Sequence, residues 1–266
     1  MSNIGGAAAP TRSAKEQFDK QAAHYNAQWN TWSEETLSWI LAHSGHQPTD
    51  KVLDIATGTG FTALAFAPHV TEVIGSDVST GMLEQARKQA EERGITNATF
   101  TEAPAEALPF PDATFDIVTS RIAPHHFLDI QKFAAETARV LKPGGRLVLV
   151  DTSVPDGDAV AADWQNAVEV LRDPSHVRNY TPSEWRAIWE DAGLTVETIS
   201  DTGGGITIPL SDWIFKAGCT QEQAQQVRDQ FASAPANVKA IYQIVEQTDG
   251  EIVFTWRRVA VRAVKK

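Results

Sequence analysis

The chain has 266 residues, with 23 lysines and arginines against 34 aspartates and glutamates, for a formal net charge of −11. An acidic balance argues against nucleic-acid binding, which needs a dense cationic face, and against anionic membrane surfaces for the same reason. The single cysteine, Cys219, excludes an internal disulfide and a cysteine-rich metal centre, and no apolar run reaches the roughly 18 residues that span a bilayer.

Residues 1–11, with Gly5, Gly6 and Pro10, are expected to form a flexible tail without the apolar segment of a secretory signal, which points to a cytoplasmic protein. From Ser13 to Trp39 the spacing predicts helix, rich in aromatic residues that include Phe18, Tyr25, Trp29 and Trp32. KVLDI (51–55) reads as a buried strand, followed by a glycine turn and a helical run over 61–67. EVIGSD (72–77) is a second strand, and Ser79 caps a helix carrying Met82, Leu83, Ala86 and Ala90 on one face. Strands over 98–103 and 115–120 come next, then a helix over 130–141, the turn Lys142-Pro143-Gly144-Gly145 and the strand RLVLVD (146–151). This alternation predicts an α/β, Rossmann-like, doubly wound sheet, mostly parallel and covered on both faces, with right-handed crossovers.

Beyond Asp151 the alternation loosens. Helices are expected over 156–172 and 181–193, a strand over 194–200, helical stretches over 210–232 and 235–247, and a long strand over 252–264. The chain therefore reads as one domain over 12–266. A core over 45–152 carries helical cap or substrate segments at 13–44, 153–180 and 203–250.

The informative segment is VLDIATGTGFTA (52–63), where Gly58, Gly60 and Ala63 follow the pattern G-x-G-x-x-G/A between a strand and a helix. Glycines there let the backbone approach a nucleotide, with the helix N-terminus aimed at it. Asp54 would repel a pyrophosphate at the end of the first strand, whereas a cationic ligand with an amino group would welcome it. Asp77 ends the second strand roughly 20 residues past Gly58, where a carboxylate accepts from both hydroxyls of a ribose.

At these residues the sequence resembles the class I S-adenosylmethionine-dependent methyltransferases, in their small-molecule branch. DIATGTG looks like the family's first motif, GSD (75–77) its second, APAEALPFPDATFD (103–116) its third, and LKPGGRLVLVD (141–151) the segment that introduces the fifth strand. The core is similar to the ubiquinone and menaquinone C-methyltransferases, and LRDPSHVRNYTPSEW (171–185) resembles a group of uncharacterised bacterial methyltransferases. The resemblance implies strand order 3-2-1-4-5-7-6 with the last strand antiparallel, S-adenosyl-L-methionine as cofactor and S-adenosyl-L-homocysteine as product. It further implies that Tyr25, Asp54, Thr57, Gly58, Gly60, Asp77, Val78, Met82, Ala105, Glu106 and Arg121 surround that cofactor. Where many relatives carry Asp before this alanine, this chain has Pro104, which offers neither carboxylate nor N–H.

Methyl transfer from a sulfonium is an in-line displacement that depends on alignment and exclusion of water, and it needs a base only for a hydroxyl, phenol or acidic C–H acceptor. His125 and His126, just past the fourth strand, are the candidate bases, with His126 favoured. Trp29, Asp151, His176 and Trp213 are candidate substrate contacts. No metal is expected, because neighbouring side chains diverge and no third ligand is spaced nearby. The expected partner is a small-molecule substrate, and nothing in the sequence fixes an oligomeric state.

Three alternatives frame that expectation. An enzyme using the same cofactor for cyclisation, elimination or decarboxylation would carry the same motifs. An NAD-dependent oxidoreductase would be expected to show a Tyr-x-x-x-Lys pair, which does not occur. A nucleic-acid methyltransferase would carry an Asn/Asp-Pro-Pro-aromatic motif, where this chain has Arg-Ile-Ala-Pro (121–124).

Overall fold

The computed structural model describes residues 13–22 and 25–266, with the backbone alone for Gln21, 25–33 and 201–205. Two helices come first, α1 (Ala14–Gln21) and α2 (Tyr25–Ser44). Ser13 and Glu16 form a reciprocal capping box that starts α1. The alternating part follows as β1 (Lys51–Ile55), α3 (Phe61–Phe66), β2 (Glu72–Asp77), α4 (Thr80–Glu92), β3 (Ala98–Glu102), β4 (Phe115–Arg121), α5 (Ile130–Val140) and β5 (Leu141–Thr152). The remainder is α6 (Ala159–Arg172), α7 (Pro182–Asp191), β6 (Leu194–Pro209), α8 (Leu210–Lys216), α9 (Gln221–Ala232), α10 (Ala236–Ile241), β7 (Val245–Glu246) and β8 (Ile252–Lys265).

The strands form one sheet in the order β3-β2-β1-β4-β5-β8-β6, with the two-residue β7 on β8. Strands β1 to β5 pair in parallel, and β8 runs antiparallel to both β5 and β6. This is the expected doubly wound order with its antiparallel last strand, and β7 is an addition.

Each face of the sheet buries a different set of side chains. Phe133 of α5 and Trp185 and Trp189 of α7 pack on one face with Leu53, Val118 and Leu149. The two indoles stack with centroids 5.8 Å apart, and truncating either would cost about 3–5 kcal/mol. On the other face Ile40 of α2, Leu64 and Phe66 of α3, and Leu83 and Ala86 of α4 cover Val52, Val73 and Ile117. Thr152 pairs with Arg258, so the residues of β8 before Arg258 run past the carboxyl end of β5. There Phe254 and Trp256, opposite Ile208 and Ile206, anchor a helical lobe with Val168, Trp213, Val227 and Phe231.

Several boundaries differ from the sequence expectation. β5 begins at Leu141, before the Pro-Gly-Gly turn: Leu141 pairs with Phe115 and Arg146 with Ile117, so the turn bulges out of the ladder. Gly144 takes φ +76° in that bulge, and a Cβ on Gly145 would lie 2.8 Å from the Lys142 carbonyl. β6 continues to Pro209, so the helical part of 203–250 begins only at Leu210. The expected helix over 210–232 breaks at Gly218, with φ +68°, and restarts from a capping box of Thr220 and Gln223. The expected helix over 235–247 stops at Ile241: Tyr242 donates its hydroxyl to the Ala161 carbonyl, Gln243 turns to φ +49°, and β7 follows.

Candidate functional site

A cleft of about 650 Å³ opens at the carboxyl ends of β1, β2 and β4. Asp54 of β1 and Asp77 of β2 both line it, as do Thr57, Gly58, Val78, Met82, Ala105, Glu106, Arg121 and His126. Open α/β sheets bind ligands at this end, where the helix N-termini converge.

The turn after β1 holds Ala56 at φ +54°, Gly58 at φ +55° and Gly60 at φ +86°. The two glycines do different work. A Cβ on Gly58 would meet nothing within 4 Å, so this position leaves open space in the cleft. A Cβ on Gly60 would crowd Ala86 at 3.1 Å and Phe100 at 3.3 Å, so Gly60 serves helix-to-sheet packing and does not line the cleft.

The Asp77 carboxylate bridges two loops, accepting from Gly58 N at 2.8 Å and from Ser79 N at 2.9 Å. Asp54 accepts from the hydroxyls of Thr57 at 2.6 Å and Thr119 at 2.7 Å. Burial pushes Asp54 up to about 6, against the pull of those hydroxyls and of the Arg121 charge. Burial also raises Asp77 above the ordinary carboxylate value, against its backbone N–H bonds. Arg121 donates to Thr62 at 3.1 Å and to Thr36 at 3.5 Å. Glu106 Oε1 accepts from Leu128 N at 3.1 Å, which ties the loop after β3 to the turn after β4.

Of the two histidines in that turn, only His126 lines the cleft. Its Nδ1 sits 3.0 Å from the Ser175 carbonyl, so Nδ1 carries the proton and Nε2 the lone pair. Burial and the adjacent His125 lower His126 to about 4, so this imidazole is neutral. Behind it His125 Nδ1 contacts Asp151 Oδ1 at 2.6 Å. Burial opposes the charged form of His125, yet Asp151 outweighs it and raises the imidazole above its ordinary value. His176 lies in the same cluster, its ring centroid 5.6 Å from that of His125. Among the described residues no group of His, Cys, Asp and Glu is arranged to hold a metal ion.

Not every candidate residue reaches the cleft. Asp151, His125 and His176 stand behind its wall. Trp213 is a correction: it is fully buried in the lobe, against Phe254 and beneath the Arg172 guanidinium at 4.4 Å, as core packing. The side chains of Tyr25 and Trp29 lie outside the described residues.

The segment 13–44 is expected as a cap, but sequence reasoning does not single out Ser13, Ala14, Lys15 and Phe18, which face the cleft from α1 and its cap. Lys15 Nζ donates to the Val78 carbonyl at 2.7 Å and pairs with Glu102 at 3.0 Å. Asp19 accepts from the Ser79 hydroxyl at 2.6 Å, and Phe18 meets His126 edge-on at 5.0 Å. The Ser-x-x-Glu box announces that helix, but nothing local announces where it docks. Ser175, also missed, completes the wall beside His126.

Comparison with known proteins fits this geometry. The family model described as a methyltransferase domain matches residues 53–149. YcgJ of Bacillus subtilis, described as an uncharacterized methyltransferase, is 36% identical over 250 residues, covering 94% of this chain and 98% of that one. Its crystal structure superposes with a TM-score of 0.82 at 35% identity, over 87% of this chain and 98% of that one. The ubiquinone/menaquinone biosynthesis C-methyltransferase UbiE of Francisella tularensis subsp. novicida is 39% identical over 128 residues, 47% of this chain and 50% of that one. The chain belongs to the class I S-adenosylmethionine-dependent methyltransferases. No helix among the described residues is long and apolar enough to cross a membrane.

Proposed function

We propose that the cleft binds S-adenosyl-L-methionine and that the protein transfers its methyl group to carbon or oxygen of a small-molecule acceptor, releasing S-adenosyl-L-homocysteine. The observation that carries this reading is the pairing of open backbone at Gly58 with two buried carboxylates, Asp54 and Asp77, in one cleft. Those acceptors suit a ligand that donates from a cationic amino acid end and a ribose diol, and they oppose a pyrophosphate.

The cofactor supplies an electrophilic methyl group on a sulfonium. Asp54, with Thr57, would meet the cationic end, Asp77 the ribose, and Val78, Met82 and Ala105 the adenine. Phe18 and the rest of α1 roof the cleft and keep water from the reacting centre. His126 presents a neutral imidazole as a fixed wall. The His125–Asp151 pair stands behind that wall and is the stronger base; it would take the proton of a hydroxyl, phenol or acidic C–H acceptor that reaches past His126.

The direct test is transfer of labelled methyl from S-adenosylmethionine into a metabolite extract, with titration of both S-adenosylmethionine and NAD. Binding of the first and label in a product are expected. Binding of NAD alone would overturn the reading, and turnover without S-adenosylhomocysteine would assign the cofactor a non-methylating role.

A further inference from the structure

Between β4 and α5 the chain brings Ile122, Ala123, Phe127 and Leu128 to the cleft, and His126 is the single polar side chain among them. In the strand order β2-β1-β4, this turn and Asp77 stand on opposite sides of the β1 turn. Phe18 of α1 meets the His126 ring edge-on at 5.0 Å. The imidazole therefore marks an end of the cleft away from the ribose carboxylate and among apolar side chains.

The state of that imidazole follows from its partners. Ser175 donates its hydroxyl to Asp173 Oδ1 at 2.7 Å and its backbone N–H to the same oxygen at 2.9 Å. With its only hydroxyl hydrogen committed to Asp173, Ser175 Oγ faces His126 Nδ1 at 3.1 Å as an acceptor. The Ser175 carbonyl accepts from the same nitrogen at 3.0 Å. Two acceptors on Nδ1 place the proton there and leave Nε2 with a bare lone pair. Asp173 and Ser175 are thus positioning residues that fix the ring and its tautomer. Nε2 has no hydrogen bond among the described residues and is not sealed off by protein, so it opens on the cleft. Burial and the adjacent His125 oppose the charged form, so the ring stays an acceptor at any working pH.

The cations of the cleft are engaged elsewhere. Lys15 holds the Val78 carbonyl and Glu102, and Arg121 donates to Thr62 and Thr36. An anionic group beside His126 would meet lone pairs. A hydroxyl or N–H would meet a fixed acceptor in an apolar surround, where its hydrogen bond is strong.

We propose that His126 Nε2 is a specificity-determining hydrogen-bond acceptor: it selects methyl acceptors that present an uncharged hydroxyl or N–H on an apolar body, and rejects the same body without that hydrogen. The proposal rests on the methyltransferase reading of the cleft and extends it to the acceptor's chemical class.

The test uses protein saturated with S-adenosylhomocysteine, which has no methyl group to transfer, and two probes. Indole carries an N–H that only donates, and N-methylindole lacks that hydrogen. Calorimetry should give indole an affinity about tenfold higher. In His126→Phe, which keeps a flat ring without a lone pair, that preference should vanish while S-adenosylhomocysteine affinity is unchanged. Nitrogen NMR of isotope-labelled histidine, with the His126 signals identified by their loss in His126→Phe, should show a protonated Nδ1 and a bare Nε2. Indole should move the Nε2 signal and N-methylindole should not, a response that a merely structural histidine would not give. A protonated Nε2, equal affinities for the two probes, no indole binding at millimolar concentration, or a preference that survives His126→Phe would overturn the proposal. If that variant melts early, the affinity ratio in the parent protein and the indole-induced shift of a bare histidine nitrogen decide the matter. Failure of S-adenosylhomocysteine to bind would refute the cofactor reading instead, and the indole preference measured on protein alone then tests His126 by itself.

Discussion

Two polar neighbourhoods meet at His126, and they are built differently. On the cofactor side, both oxygens of Asp54 and both oxygens of Asp77 find partners, all within residues 54–79 except Thr119 of β4. Behind His126, Asp151 comes from the end of β5 and His176 and Asn179 from the segment before α7, and each keeps a buried atom without a partner. The first neighbourhood is a finished cradle whose shape the backbone dictates. The second depends on long-range packing between β5, α6 and the segment before α7.

The sharpest way to break the cradle is Gly58→Val. A Cβ there meets no protein atom within 4 Å, so the fold should persist, but a β-branched residue at φ +55° is strained by about 1–3 kcal/mol. Its side chain would also occupy the cleft. Cofactor affinity measured by calorimetry should drop by more than about a hundredfold, because the side chain stands where the ligand approaches the backbone, while the strain lowers folding stability in both states. Retained affinity would show that the ligand does not approach this turn.

That contrast in construction also explains what the sequence discloses. Strand, turn and cap at 51–82 are local events: the apolar run, the positive-φ glycines and Ser79 each act on their neighbours, so Asp54, Gly58 and Asp77 are legible as a unit. Trp213 is misread because an aromatic residue in a helical insertion fits a lid as well as a core, and only packing against Phe254 decides. The seat of α1 is illegible for a related reason. Lys15 reaches Val78 and Asp19 reaches Ser79, contacts that no periodicity encodes. The Pro-Gly-Gly bulge within β5 escapes because turn residues signal a break in the chain, whereas the ladder here resumes on the same partner strand.

The boundary between the two neighbourhoods is tested by the histidines. His125→Ala should lower turnover by about a hundredfold for an acceptor that must lose a proton, with cofactor affinity unchanged. In the parent enzyme the acidic limb of the rate profile should lie above the ordinary imidazole value, because Asp151 raises His125, and His125→Ala should abolish that limb. His126→Ala should keep the limb, since that imidazole is already neutral at any working pH. Loss of the limb in His126→Ala alone would reverse the two roles and move the base into the cleft wall.

The smallest effect, and the most specific to the cradle, is a pH dependence set by Asp54. Its carboxyl is raised from the ordinary 3.8 to about 6 by burial. Between those values the folded chain holds a proton that the unfolded chain has released, so this group's contribution to stability is present at low pH and declines as pH rises through that window. Above it, the buried charge opposes folding by on the order of 3 kcal/mol, the full span of the shift. A cationic ligand end beside Asp54 favours the ionised form and reverses that preference. Binding below about pH 6 must then expel a proton, and affinity should weaken by about tenfold between pH 7 and pH 5. Calorimetry in buffers of different ionisation enthalpy would count the proton directly. Asp54→Asn should flatten the dependence, raise the thermal stability of the ligand-free protein at pH 7 and weaken the cofactor. A variant with unaltered affinity and the same pH slope would remove Asp54 from contact with the ligand's charge and leave it a buried strut for Thr57 and Thr119.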